Sequence, residues 1–215
     1  MEPNTEDLLN RLPTVSNEVI PRLIISAEAG FIPLHTESIS SKVFIKDGKV
    51  FKLNNRNSVE RAESDAQVLK TRLAEYEDHL PDSTIVECEY EGVIYTCVVQ
   101  EVIEGEELKK LGAEQLREAL KENKDFLLEL LKYFFESIEA KKLYPDIVGY
   151  PKDPEYFNSV NLILEKESNK VILCDVGLSP HQDTLDKNGL DFYDSENVRI
   201  YVAKMRKFQE LLLEL

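Results

Sequence analysis

Asn161-Leu-Ile-Leu-Glu-Lys-Glu-Ser-Asn-Lys-Val171-Ile-Leu-Cys-Asp175-Val-Gly177 is the stretch on which the reading of this chain turns. Val160–Leu164 and Lys170–Cys174 are short apolar runs, and Glu167-Ser-Asn169 between them supplies turn-forming polar residues, so a β-hairpin ending in Asp-Val-Gly is expected. Upstream, Tyr144–Phe157 is rich in Pro, Gly and Asp and reads as loop. Before it, Lys124–Lys142 places Phe126, Leu127, Leu130, Leu131, Phe134, Phe135 and Ile138 on one broad helical face, preceded by a shorter charged helix over Ala113–Asn123. Downstream, residues 179–193 are polar and irregular, and Ser195–Leu215 repeats Val198, Tyr201, Val202, Met205, Phe208 and Leu211 at helical spacing.

Further toward the N-terminus the period changes from helix to strand. Thr84–Tyr90 and Val93–Val102 flank Glu91-Gly92, and Lys42–Lys46 and Lys49–Leu53 flank Asp47-Gly48, which are tight-hairpin signals. Between the two hairpins, Ser58–His79 reads as one long helix with Val59, Ala62, Ala66, Leu69, Leu73 and Tyr76 on its apolar face and Pro81 past its end. Phe31–Ser38 adds a strand. Residues 1–29 read as a helical extension made of Thr5–Leu12 and Ser16–Ala29, the second piece interrupted by Pro21.

The chain has 215 residues, 42% of them apolar, enough for one core or two small lobes sharing a cleft. No charged-then-apolar leader opens it and no run approaches ~18 consecutive apolar residues, so a cytoplasmic location is expected. Cys88, Cys97 and Cys174 sit singly in strand-like runs and read as small buried hydrophobes. The formal charge of -15 repels phosphate backbones and anionic headgroups, so no nucleic acid and no membrane is expected as a partner. A nucleotide site in such a field needs local cations, a lysine and a divalent metal.

The order strand, hairpin, long helix, hairpin, connector, helices, loop, hairpin resembles the protein-kinase-like fold, in particular small atypical kinases and the aminoglycoside-phosphotransferase type, with a truncated C-lobe. The resemblance implies an α+β, two-lobe protein: an antiparallel-sheet N-lobe with one long helix over 30–104, and a reduced, mainly helical C-lobe with a metal-binding hairpin over 105–215. Val50-Phe-Lys52-Leu53 resembles the strand whose lysine holds the α- and β-phosphates of ATP. Asp65-Ala-Gln-Val-Leu69 resembles the helix whose glutamate pairs with that lysine; Asp is one methylene shorter, and Glu63 or no partner at all remain open. Val98–Gly105 resembles the hinge, which implies Gln100 at the pocket border and main-chain groups of Glu101 and Ile103 toward adenine. Asn161 and Asp175, at the start and end of the hairpin, resemble the Mg²⁺ ligands.

Tyr144-Pro-Asp146 stands where the family keeps a His-x-Asp, which implies Asp146 as the base that accepts the proton of the attacking hydroxyl. Fifteen positions separate Asp146 from Asn161, more than in the family, so Asp153 and Asn158 are rivals for the role. Thr36-Glu-Ser-Ile-Ser-Ser41 stands in place of a glycine-rich loop, and forty residues after Asp175 leave no room for a long activation segment. His35 and His181 receive no role. The resemblance thus implies an ATP- and Mg²⁺-dependent phosphotransferase acting on a hydroxyl of a small molecule or an atypical protein target. The alternative is a pseudokinase, a nucleotide-binding or nucleotide-free module that recruits a partner without transfer, and behind both stands an unrelated α+β binding domain.

Overall fold

The structure is a computed structural model, and it describes residues 22–34, 42–54, 58–140, 161–174 and 196–215. Strands β1 (Leu23–Ile24), β2 (Ile32–Leu34), β3 (Lys42–Lys46), β4 (Lys49–Asn54), β5 (Ser83–Tyr90) and β6 (Val93–Glu101) form one sheet in the order β1-β5-β6-β4-β3-β2. Every neighbouring pair is antiparallel except β1 with β5. Both expected hairpins form. Their turns need a left-handed backbone at two successive positions, supplied by Asp47 (φ 49°) and Gly48 (φ 72°) and by Glu91 (φ 52°) and Gly92 (φ 75°).

Alternation along β4 decides what each face of this sheet does. Phe51 and Leu53, opposite Phe44 and Cys97, build a small core with Cys88 that Ile25 and Phe31 close. On the opposite face Val50, Lys52 and Asn54 lie across from Gln100, Val98 and Thr96. That face meets the larger core through Val98 and Ile85. The three cysteines are free thiols and buried, as their apolar surroundings in the sequence suggested.

Helix α1 (Val59–Arg72) opens with the Ser58 hydroxyl accepting from the Arg61 N–H at 3.3 Å, and it buries Ala62, Ala66 and Leu69. The single helix expected over Ser58–His79 is broken. Leu73 ends α1, and Ala74–His79 is a 3₁₀ segment with Tyr76 off the helical backbone (φ -126°, ψ 32°). The cause is tertiary: the bend brings Tyr76 and His79 onto Phe126, with ring centres 5.8 and 4.2 Å apart, and that packing is invisible to the helical period.

The helix expected over Ser16–Ala29 is also corrected where the structure describes it. Leu23–Ile24 is a strand beside Cys88–Glu89, and Ala27–Gly30 is a turn with Gly30 at φ 84°. Burying Ile25 and Phe31 in the small core, both under 5% exposed, outweighs the helical spacing.

Past Glu101 the sequence reads as connector and helix, yet Gly105–Glu107 forms β7, pairing with β8 (Leu162–Glu165), which pairs in turn with β9 (Val171–Leu173). The pairing depends on glycine, because a Cβ on Gly105 would collide with the Leu164 carbonyl and the Ile163 side chain. The hairpin of β8 and β9 is the one expected from the sequence. Helices α2 (Ala113–Glu122), α3 (Lys124–Glu139) and α4 (Glu196–Glu214) complete the described chain. Phe126, Leu127, Leu130 and Leu131 of α3, with Met205, Phe208 and Leu212 of α4, centre the larger core, which also holds Leu162, Val171 and Leu173. Arg72 of α1 reaches Glu129 and Glu136 of α3 at 3.2 and 3.1 Å.

Asn123, between α2 and α3, is 4% exposed and bonds only to backbone. Its amide donates to Ala119 O and Asn169 O at 2.8 and 3.1 Å, and its Oδ1 accepts the Val171 N–H at 2.9 Å. Asn123→Ala strands that buried N–H and should cost about 2–3 kcal/mol in urea unfolding, far more than a surface substitution. Gly105→Val should lower the unfolding midpoint by about 1–3 kcal/mol equivalent, because β7 must leave β8 to make room.

Candidate functional site

Lys52 is carried by β4 on the face away from the small core, and its Nζ donates to the Cys174 carbonyl at 2.9 Å, across 122 positions of sequence. The Cys174 N–H donates in turn to the Asn161 carbonyl at 2.8 Å, closing the open end of the β8–β9 hairpin. Lys52, Asn161 and the residue just before Asp175 are thereby gathered at one place. Asn161 is 6% exposed and carries an uncharged, oxygen-bearing side chain. Asp175 itself, with Asp146, Asp153, Asn158, His35 and His181, lies outside the described residues.

The segment joining the two sheets is fixed at both ends. The Val102 N–H donates to Gly48 O at 3.0 Å, and the Glu104 carbonyl accepts from the Lys166 N–H at 2.8 Å. Between these anchors, the main-chain N–H and C=O of Ile103 make no hydrogen bond among the described residues. They are a donor and an acceptor held in place with their capacity unspent. Glu101 is exposed, its side chain paired with Lys49 at 3.6 Å. Gln100 is 4% exposed, on the same sheet face as Lys52, and its Oε1 has no partner among the described residues, an acceptor available to a bound amine or water.

Asp65 is half-buried on α1, on the shoulder of the Ala62, Ala66 and Leu69 stripe, whereas Glu63 is exposed. The Asp65 charge is felt by Tyr133 of α3. Burial is the main influence holding that phenol up at about 12; Asp65 adds to the rise, and the bond with Ser137 opposes it.

Three residues that tie this place together carried no motif. Asn123 looked like the end of a helix, Gly105 like the end of a strand, and His79 like the last polar residue before Pro81. His79 Nδ1 lies 2.9 Å from Val171 O, with its ring stacked on Phe126 at 20° between planes. A buried-type Asn between two helices and a Gly opposite a strand are signals of a kind, but neither names its partner.

No family model matches the chain, and no curated protein matches it by sequence. Solved structures do match. A Legionella pneumophila kinase, Lpg2603, whose structure holds IP6, is 15% identical, with 81% of this chain covering 60% of that one at a TM-score of 0.45. Aminoglycoside phosphotransferase APH(3'')-Id of Streptomyces rimosus is 13% identical, with 85% of this chain covering 92% of that one at a TM-score of 0.43. The Cydia pomonella granulovirus kinase PK-1 is 14% identical, with 72% of this chain covering 56% of that one at a TM-score of 0.38. The chain therefore spans about three fifths of the Legionella kinase and most of the phosphotransferase. The described chain is α+β: a mostly antiparallel six-stranded sheet with one long helix, and then a helical part carrying a three-stranded sheet.

The raised Tyr133 phenol makes a pH prediction. The fold favours its protonated form, so its contribution is whole below the ordinary value of 10 and is lost as pH rises toward about 12. Tyr133→Phe keeps the ring and cannot ionise. Urea unfolding should show a constant difference between wild type and Tyr133→Phe up to pH 10, after which the wild type loses stability relative to the variant; parallel curves through pH 12 would remove the buried-phenol account.

Proposed function

We propose that the protein is an ATP- and Mg²⁺-dependent phosphotransferase acting on a hydroxyl of a small molecule or an atypical protein target. The observation that carries this reading is the Lys52 ammonium reaching across from β4 to the mouth of the hairpin at Cys174, the position before Asp175. In a protein of net charge -15, that amine is the local cation a polyphosphate needs. The residues fit the ligand at its other end as well. Ile103 offers a donor and an acceptor without partners among the described residues to the edge of an adenine, with Glu101 contributing main chain beside it and Gln100 at the pocket border. Residues 30–104 and 105–215 act as two lobes around this cleft.

Within that cleft Asn161 and Asp175 would hold the metal through hard oxygen ligands, and bound ATP supplies the phosphoryl group and, with Mg²⁺, its charge neutralisation. Lys52 holds phosphate oxygens as a point charge. Asp65, the half-buried acid on α1, orients that lysine in preference to the exposed Glu63. Asp146 takes the proton of the acceptor hydroxyl. Free buried thiols suit a reducing cytoplasm, and no helix among the described residues is long and apolar enough to cross a membrane.

A second reading keeps nucleotide binding and drops transfer. It is favoured by Tyr144 in the histidine place of the catalytic loop and by Thr36–Ser41 in place of the glycines.

Thermal unfolding with ATP and Mg²⁺ tests the first step: ligand at a hundredfold excess over its dissociation constant should stabilise by about 2.7 kcal/mol. Lys52→Met should weaken ATP about tenfold or more, since it removes a charge-assisted hydrogen bond of roughly 1.5–3 kcal/mol. Asp175→Ala should abolish the Mg²⁺ dependence. Asp146→Ala should leave binding intact and stop turnover. No stabilisation of the wild type at millimolar ATP and Mg²⁺ defeats the nucleotide reading, and turnover surviving in Asp146→Ala removes that residue from the chemistry.

A further inference from the structure

Among the described residues the β7-β8-β9 sheet has β9 at its edge, with no strand paired beyond it. Which groups point outward follows from the ladder. The Glu165 N–H donates to Lys170 O at 2.8 Å and the Cys174 N–H to Asn161 O at 2.8 Å. Residues 165/170 and 161/174 are thus hydrogen-bonded pairs, and by alternation 163/172 is the third while 164/171 is a non-bonded pair. The N–H and C=O of Val171 therefore point away from β8. Val171 is completely buried, so both groups need partners that water cannot supply.

Side chains from two other elements take the place of a neighbouring strand. Asn123 Oδ1 accepts the Val171 N–H at 2.9 Å, and the Nδ1–H of His79 donates to Val171 O at 2.9 Å. Just past β9, on the side that faces β8, the Cys174 carbonyl accepts from Lys52. His79 is itself held on both sides. Its ring stacks on Phe126 with centres 4.2 Å apart, and Asp78, which faces Nε2 at 3.7 Å, is anchored by an ion pair to Lys170 at the start of β9. The 3₁₀ segment that follows α1 is in this way bonded to the strand that leads into Asp175.

We infer that His79 is a positioning residue for the hairpin that carries Asn161 and leads to Asp175: through its hydrogen bond to Val171 it sets the lateral position of β9. It touches no ligand. Its role is to keep the Cys174 carbonyl, and the residues on either side of the hairpin mouth, where Lys52 meets them. The placement of β9 stands on the contacts above; its consequence for the metal ligands rests on the phosphotransferase reading.

Two substitutions separate the ring from the bond. His79→Phe keeps the stack on Phe126 and removes the donor, whereas His79→Asn places an amide N–H close to where Nδ1 stood. The three buried thiols report the outcome in the whole protein without any nucleotide. Cys174 sits at the end of β9, while Cys88 and Cys97 sit in the six-stranded sheet and respond only to global opening.

Alkylation by iodoacetamide, located by mass spectrometry, should be about tenfold faster at Cys174 in His79→Phe, the equivalent of one lost hydrogen bond. The rates at Cys88 and Cys97 should not change, and His79→Asn should return Cys174 to within about threefold of wild type. In the same variants, His79→Phe should weaken Mg²⁺·ATP about tenfold while leaving Mg²⁺-free ATP binding as it was. Equal acceleration of all three thiols, or none at Cys174, overturns the inference, as does an unchanged Mg²⁺·ATP affinity in His79→Phe. A wild type that binds no nucleotide while Cys174 responds selectively sinks the phosphotransferase reading and leaves the placement of β9 standing.

Discussion

A lysine amine reaching from one sheet to a main-chain carbonyl of another is the contact around which this molecule is arranged. Lys52 could leave β4 in only two directions, and the other face of the sheet is filled by Phe44, Phe51, Leu53 and the closing pair Ile25 and Phe31. The alternation that buries those rings therefore sends the amine toward the second sheet. Removing an ammonium from water is costly unless it finds oxygen partners, and the Cys174 carbonyl at 2.9 Å is one of them. The same bond places the cation beside the hairpin whose mouth Asn161 and Cys174 close.

Such a contact is only as well defined as the strand that receives it, and β9 is three residues long with, among the described residues, a neighbouring strand on one side. A short edge strand is a weak platform by itself. Its stiffness comes from outside the sheet: Val171 and Leu173 are buried in the larger core, and the outward backbone groups of Val171 are satisfied by Asn123 and His79. The helices of the second part thus do more than bury apolar area. The junction of α2 and α3, through Asn123, and the segment after α1, through His79, are clamps on the strand that faces Lys52.

The link between the two sheets is built with comparable economy. Gly105 lets β7 approach Leu164 O at a distance no side chain tolerates, and between the flanking bonds from Val102 to Gly48 and from Lys166 to Glu104 both main-chain groups of Ile103 have no partner among the described residues. Rigid surroundings with one open donor and acceptor are what recognition of a flat, hydrogen-bonding ligand edge requires.

Much of this was legible in the amino-acid order because it is local. The Asp47-Gly48 and Glu91-Gly92 turns, the alternation of β4 and β6, the apolar face of α3 and the hairpin over 161–174 all follow from backbone preferences and periods of two or 3.6 residues. Lys52 and Asn161 were singled out by likeness to kinase motifs and not by period; the structure adds that the Lys52 amine and the Asn161 carbonyl both bond to Cys174. What the order could not contain is the energy of contacts between distant parts. Burial of Ile25 and Phe31 turned an expected helix end into a strand and a turn, and stacking on Phe126 broke the helix before His79. The approach of Gly105 to Leu164 made a strand of glutamates. The partners of Asn123 and His79 were settled only in three dimensions, because a buried backbone group on an edge strand accepts whichever donor or acceptor the tertiary packing delivers, and no spacing along the chain encodes which one that is.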